Sequence, residues 1–214
     1  MNAKKLKQFR REYLSGELRE EDVSEDPHIQ LLSWLEAAMN AGSPDPGAMA
    51  LATANAEGKP SVRMVLLKEA RETGLVFFSN YESRKGKELQ QNPEASAMFF
   101  WPEMERQLRV EGIVEKLPEE ESDAFFNSRP RESRIISIVS EQSKEIPGRD
   151  YLLGKADALK DSRDDTSLKR PTYWGGYILK PVSYEFWQGR EHRLNDRLLY
   201  TLIDDEWAIK RLAP

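Results

Sequence analysis

The sequence predicts a mainly β chain with inserted helices, an α+β protein whose strands close into a barrel. Three observations carry this prediction. About eight short segments follow a period of two, spaced through the length of one domain. They succeed one another without the regular crossover helices of a doubly wound parallel sheet. No G-x-G-x-x-G follows any of them, which argues against a dinucleotide fold.

Residues 1–24 are polar and dense in charge of both signs, which predicts a mobile or loosely docked arm ahead of a single domain over 25–214. Asp26 and Pro27 form an N-cap and first turn. Leu31, Leu32, Leu35, Ala38 and Met39 supply an apolar stripe, and Gly42 ends the helix. Residues 43–47 form a turn with two prolines. From there the period is two: 48–53 and 61–68 read as strands joined through Glu57 and Gly58, followed by strands at 75–79, 95–101 and 108–115. A short helix at 83–91 has Ser83 in the cap position, and Pro118 opens another that runs to about Ser128. Residues 142–170 are mostly charged loop around a helix at 151–159. The end returns to strands at 176–179, 183–187, 198–204 and 206–211.

Composition excludes several classes. The 214 residues carry a net charge of -5, which does not suit a nucleic-acid binder but permits a local basic pocket. There is no cysteine, which removes disulfides, thiolate metal sites and cysteine nucleophiles. His28 and His192 alone do not make a zinc set, so no metal is expected. The first twenty residues lack the apolar core of a signal peptide, and no membrane span is expected; the expected compartment is the cytoplasm.

Four segments carry candidate chemistry. Within 63–68, Arg63, Val65 and Leu67 share one strand face, and Met64, Leu66 and Lys68 the other. This is either a strand with charged ends or an edge along which a flat, phosphate-bearing ligand lies. Arg84, Lys85 and Lys87 open a helix, where cations oppose the macrodipole. They form a solvated basic turn or, with free backbone N–H groups, a phosphate site. Arg129 and Ser133 flank a turn at Pro130, with donors suited to a second phosphate or simply solvated. Trp187 to Arg197 crowds arginines, acids and a histidine around a tryptophan, a set too mixed for a simple hairpin.

Together these segments resemble one family. The strings R-R-E-Y (10–13), R-x-V-L-L-K (63–68), S-R-K (83–85), E-R-Q (105–107), S-R-P-R-x-S (128–133), Q-S (142–143), F-W-Q-G (186–189), R-L-x-D-R (193–197) and the terminal R-L-A-P are similar to those of the pyridoxamine 5′-phosphate oxidases, and occur in family order. The resemblance implies an FMN-binding split β-barrel, working as a homodimer with FMN at the subunit interface. It implies oxidation of pyridoxamine or pyridoxine 5′-phosphate to pyridoxal 5′-phosphate, with oxygen as acceptor, in vitamin B6 metabolism.

It also implies roles for residues. Arg63, Met64, Val65, Leu66, Leu67 and Lys68 would run along the flavin, with Arg63 and Lys85 on its phosphate and Phe78, Ser79 and Arg84 nearby. Gln107 would meet the ring edge; Gln142, Ser143, Trp187 and Arg197 would come from the partner subunit. Lys68, Arg129 and Ser133 would hold the substrate phosphate, with Phe125 at a substrate position beside them, and Arg193 would sit over the pyridine ring, with Leu194 and Asn195 also at substrate positions. Asp45 would stand near the substrate as a second catalytic candidate beside Arg193, and Arg10, Arg11, Glu12 and Tyr13 would close over the site. Two positions depart from the pattern: Phe125 replaces a common tyrosine, and Asn195 a common histidine. They keep open an alternative, a non-catalytic carrier or sensor of FMN or pyridoxal phosphate on the same fold.

Overall fold

The computed structural model describes residues 12–161 and 168–214. Its strands are β1 (Ala48–Ala54), β2 (Pro60–Leu66), β3 (Glu69–Arg71), β4 (Gly74–Asn80), β5 (Glu94–Trp101), β6 (Arg106–Lys116), β7 (Trp174–Gln188), β8 (Asp196–Ile203) and β9 (Glu206–Arg211). Its helices are α1 (Pro27–Asn40), α2 (Arg84–Gln91), α3 (Glu119–Ser128), α4 (Arg131–Val139) and α5 (Arg149–Asp161). The local signals act as read. Asp26 accepts from the His28 N–H at 2.8 Å to cap α1, and Ser83 caps α2.

The described chain packs as two compact units, each taken in turn. One comprises Met49–Ala97 and Glu111–Pro181. Its strands run in the order β2-β1-β5-β6-β7-β4-β3, with β4 antiparallel to β7 from Leu75 opposite Leu179 to Asn80 opposite Trp174. Val76, Leu117 and Ile178 form one apolar cluster here, and Ile135, Ala156 and Leu168 a second.

The other unit takes in the chain up to Ala48, Met98–Val110 and Val182–Pro214. There β8 pairs with the end of β7, Ser183 opposite Thr201 and Gln188 opposite Asp196, and β9 pairs with β8. Trp34 of α1 meets Trp101 and Phe186 edge-on at 6.1 and 5.0 Å. Over residues 12–24 the charge that suggests a loose arm is engaged within this unit. Leu14 and Ser15 donate to Glu105 at 2.7 and 2.9 Å, Leu18 is buried, and Arg211 binds Glu20 and the Leu18 carbonyl.

Three elements differ from the sequence reading. Pro130 does not leave a turn but opens α4, its φ of -51° being helix-compatible at the N-cap. The second strand stops at Leu66, and after Lys68 donates to Val76 O the chain turns into β3, which pairs with β4. Two predicted strands at 176–179 and 183–187 are one, β7, uninterrupted by Pro181. Gly112 permits this: a Cβ there would collide with the Lys180 carbonyl, so only glycine lets β6 approach.

Candidate functional site

The first unit holds a cavity of about 1010 Å³, within the range of small-molecule sites. Its walls come from β2, the end of β4, the start of α2, the corner between α3 and α4, and the loop after α4.

One wall is cationic. Gly86 lies where any Cβ would strike the Tyr81 backbone, so the first turn of α2 packs tightly and Lys85 is turned inward. Lys85 Nζ donates to Ser79 Oγ at 2.9 Å, Ser83 Oγ at 3.2 Å and Gln142 Oε1 at 2.7 Å. Burial, and then the charge of Arg63, push its ammonium down to about 8. Arg63 donates to Leu51 O at 2.9 Å, Thr53 Oγ1 at 2.6 Å and Glu88 Oε2 at 3.2 Å, and also to Ser61 Oγ. Burial lowers its pKa, opposed by Glu88. Neutral oxygens do not neutralise Lys85, so the wall favours an entering anion, at a helix N-terminus that favours one as well.

Another part of the lining is aromatic. Phe78 and Phe125 stack with centroids 3.7 Å apart, and Trp174 lies 5.6 Å from Phe78. Arg129 sits 4.7 Å over Trp174 and donates to Ser137 Oγ at 2.7 Å, burial lowering its pKa. Ser133 and Lys68 line the same cavity.

The structure thus gathers Arg63, Met64, Val65, Leu66, Lys68, Phe78, Ser79, Arg84, Lys85, Phe125, Arg129 and Ser133 around one space. Two expectations change. Leu67 is not among the lining residues, although Leu66 and Lys68 on either side of it are. Gln142 and Ser143 do not wait on a partner subunit: they line this cavity beside Lys85 of their own chain, the end of α4 delivering them there. Ser137 and Trp174 line it as well and were not anticipated. Recognising α4 would have found Ser137, four residues beyond Ser133 on one helical face. Trp174 carried no local signal.

The remaining candidates belong to the other unit. Asp45 is exposed in the turn before β1, and Gln107 is half-buried in β6. Trp187 meets Tyr13 edge-on at 5.7 Å, and sits opposite Arg197 in the β7–β8 ladder. Arg197 donates to Glu185 at 2.9 Å and Ala213 O at 2.8 Å. Arg193 is exposed with φ 62°, Leu194 is exposed, and Asn195 Oδ1 accepts from Arg190 N at 3.0 Å. Glu12 accepts from His192 N at 3.3 Å, whereas Arg10 and Arg11 lie outside the described residues. A smaller cavity of about 500 Å³ lies among Tyr13, Leu14, Arg190, His192, Leu194 and Asp196.

The fold is that of the FMN-binding split barrels. The solved structure of PhzG from Burkholderia lata 383, in complex with tetrahydrophenazine-1-carboxylic acid, is 32% identical, with a TM-score of 0.87 over 92% of this chain and 98% of that one. A pyridoxamine 5′-phosphate oxidase-related, FMN binding protein from Nostoc punctiforme shares the fold at 19% identity and a TM-score of 0.66, over 87% and 94% of the two chains.

The chain belongs to the pyridoxamine 5′-phosphate oxidase family. Residues 35–162 match pyridoxamine 5′-phosphate oxidase, and residues 174–214 match the pyridoxine 5′-phosphate oxidase C-terminal dimerisation region. A pyridoxine/pyridoxamine 5′-phosphate oxidase of Cupriavidus pinatubonensis is 48% identical over 98% of this chain and 99% of its own. The chloroplastic enzyme of that name from Arabidopsis thaliana is 49% identical over 94% of this chain and 39% of its own. Among the described residues, no helix is long and apolar enough to cross a membrane.

Proposed function

We propose that the chain is an FMN-dependent oxidase that converts pyridoxamine 5′-phosphate and pyridoxine 5′-phosphate to pyridoxal 5′-phosphate, as a homodimer with FMN at the subunit interface. The observation that carries this reading is the buried ammonium of Lys85, held by neutral oxygens beside Arg63 and Arg84 in a cavity with an aromatic wall. Such a donor set fits a phosphate joined to a flat ring, and the near full-length likeness to enzymes of this activity supports the same chemistry.

When bound, FMN supplies a hydride acceptor that oxygen regenerates, yielding hydrogen peroxide. The chain's own part is binding and orientation. Lys85 and Arg84, with Arg63, hold the cofactor phosphate. Arg129 and Ser133, with Lys68, hold the substrate phosphate, and Arg129 keeps its direction through Trp174 and Ser137. Trp187, Arg193, Asn195 and Arg197 complete the site of a second subunit, consistent with the match of residues 174–214 to a dimerisation region. Product formation from the amine requires water and releases ammonia; the alcohol gives the aldehyde directly.

The test is oxygen uptake and peroxide release by protein reconstituted with FMN or FAD, given either phosphorylated substrate. Turnover with FMN alone is expected. Tight FMN and pyridoxal phosphate binding without oxygen uptake would establish the carrier alternative instead.

A further inference from the structure

Glu88 lies in none of the segments that carry the family resemblance, and its carboxylate is buried in the second turn of α2. Its Oε2 accepts from Thr53 Oγ1 at 2.5 Å, Ser61 Oγ at 2.5 Å and Arg63 at 3.2 Å; its Oε1 accepts from Arg84 Nε at 2.8 Å. One side chain thereby ties β1, β2 and α2, and joins the two guanidinium groups of the cationic wall. Burial alone would raise its pKa, but the Ser61 and Thr53 hydroxyls and Arg84 outweigh it and hold the carboxyl at about 2. It is therefore ionised at every working pH. A negative charge this close to an anion site opposes the anion, so its place there needs a geometric reason.

We infer that Glu88 is a positioning residue for the cofactor phosphate, fixing the guanidinium groups of Arg63 and Arg84 so that they present their remaining donors to it. The inference rests on reading this cavity as the FMN site. Thr53, which bonds both Glu88 and Arg63 and shares their buried network, is part of the same clamp. Without the carboxylate the two like-charged groups repel and regain rotamer freedom, and both must then be ordered by the ligand itself.

The experiment titrates full-length apoprotein with FMN and with riboflavin, which lacks the phosphate, following flavin fluorescence. For Glu88→Gln, FMN affinity should fall about tenfold or more, the scale of a charge-assisted contact, with riboflavin affinity unchanged. Unchanged or tighter FMN binding would overturn the inference, because the carboxylate would then act only as an opposing charge. Parallel weakening of both flavins would overturn it too, as the mark of a merely structural role. If the glutamine variant does not fold, Thr53→Val serves: FMN should weaken several-fold and riboflavin not at all, and unchanged FMN binding overturns the inference. Failure of the underlying reading shows separately, as a wild-type protein that binds riboflavin as tightly as FMN.

Discussion

Individual side chains in the cavity are held in states that water would not choose. Lys85 is buried, and its ammonium lies at about 8, against 10.5 for a free lysine. In the free protein it therefore loses its proton as pH rises through 8, and only the protonated form meets a phosphate dianion. FMN affinity should be level from about pH 7, above the second ionisation of a phosphate monoester at about 6, up to that point and then fall by up to about tenfold per pH unit, with proton uptake on binding at about pH 8.5–9 in weakly buffered solution. Lys85→Arg should remove the bend, and a wild-type profile flat to pH 10 would exclude Lys85 from the phosphate. Phe125 has no hydroxyl to offer and instead stacks on Phe78 at 3.7 Å. Phe125→Tyr keeps the ring and adds a donor, worth about 1 kcal/mol, so the Michaelis constant should drop several-fold with turnover little changed. Steady-state kinetics that match the parent would show that position 125 does not reach substrate.

At the level of elements, the site depends on close approaches made by particular residues. Gly112 lets β6 pass the Lys180 carbonyl, and the same strand pair carries β7 onward without a break. Gly112→Ala should destabilise by at least about 1–3 kcal/mol, seen as a lowered midpoint in urea. An unchanged midpoint would mean that the backbone yields there at no cost. The corner between α3 and α4 matters in a different way. Arg129 caps the end of α3 and Pro130 the start of α4, so Arg129 stands at the corner between two helices and Ser133 within the second of them.

At the scale of the whole molecule, the prediction concerns how subunits combine. Arg63 lines the cavity of the first unit, while Arg197 sits in the β7–β8 ladder of the other, within the matched dimerisation region. Mixing Arg63→Ala with Arg197→Ala subunits should restore activity in the heterodimers, because one of their two sites is then intact. No recovery, or a fully active monomer in sedimentation, would mean that both residues serve the same chain's site.

The sequence by itself determined the elements whose signals are local. Asp26 and Ser83 mark helix starts because their side chains satisfy N–H groups a few residues on, and the period-two segments mark strands because side chains alternate. It also determined most of the candidate site, since Arg63, Lys85, Arg129 and Ser133 fall in strings with a legible family order. Only the tertiary structure decided which of these residues share a space. Gln142 meets Lys85 although two strands and two helices separate them along the chain, and Glu88 of α2 meets Thr53 of β1 and Ser61 and Arg63 of β2. The division into two units was equally hidden, because β5, β6 and β7 each contribute residues to both. The physical reason is the same throughout. Periodicity and capping act over a few residues, whereas burial, charge pairing and desolvation depend on neighbours that the chain brings together only on folding.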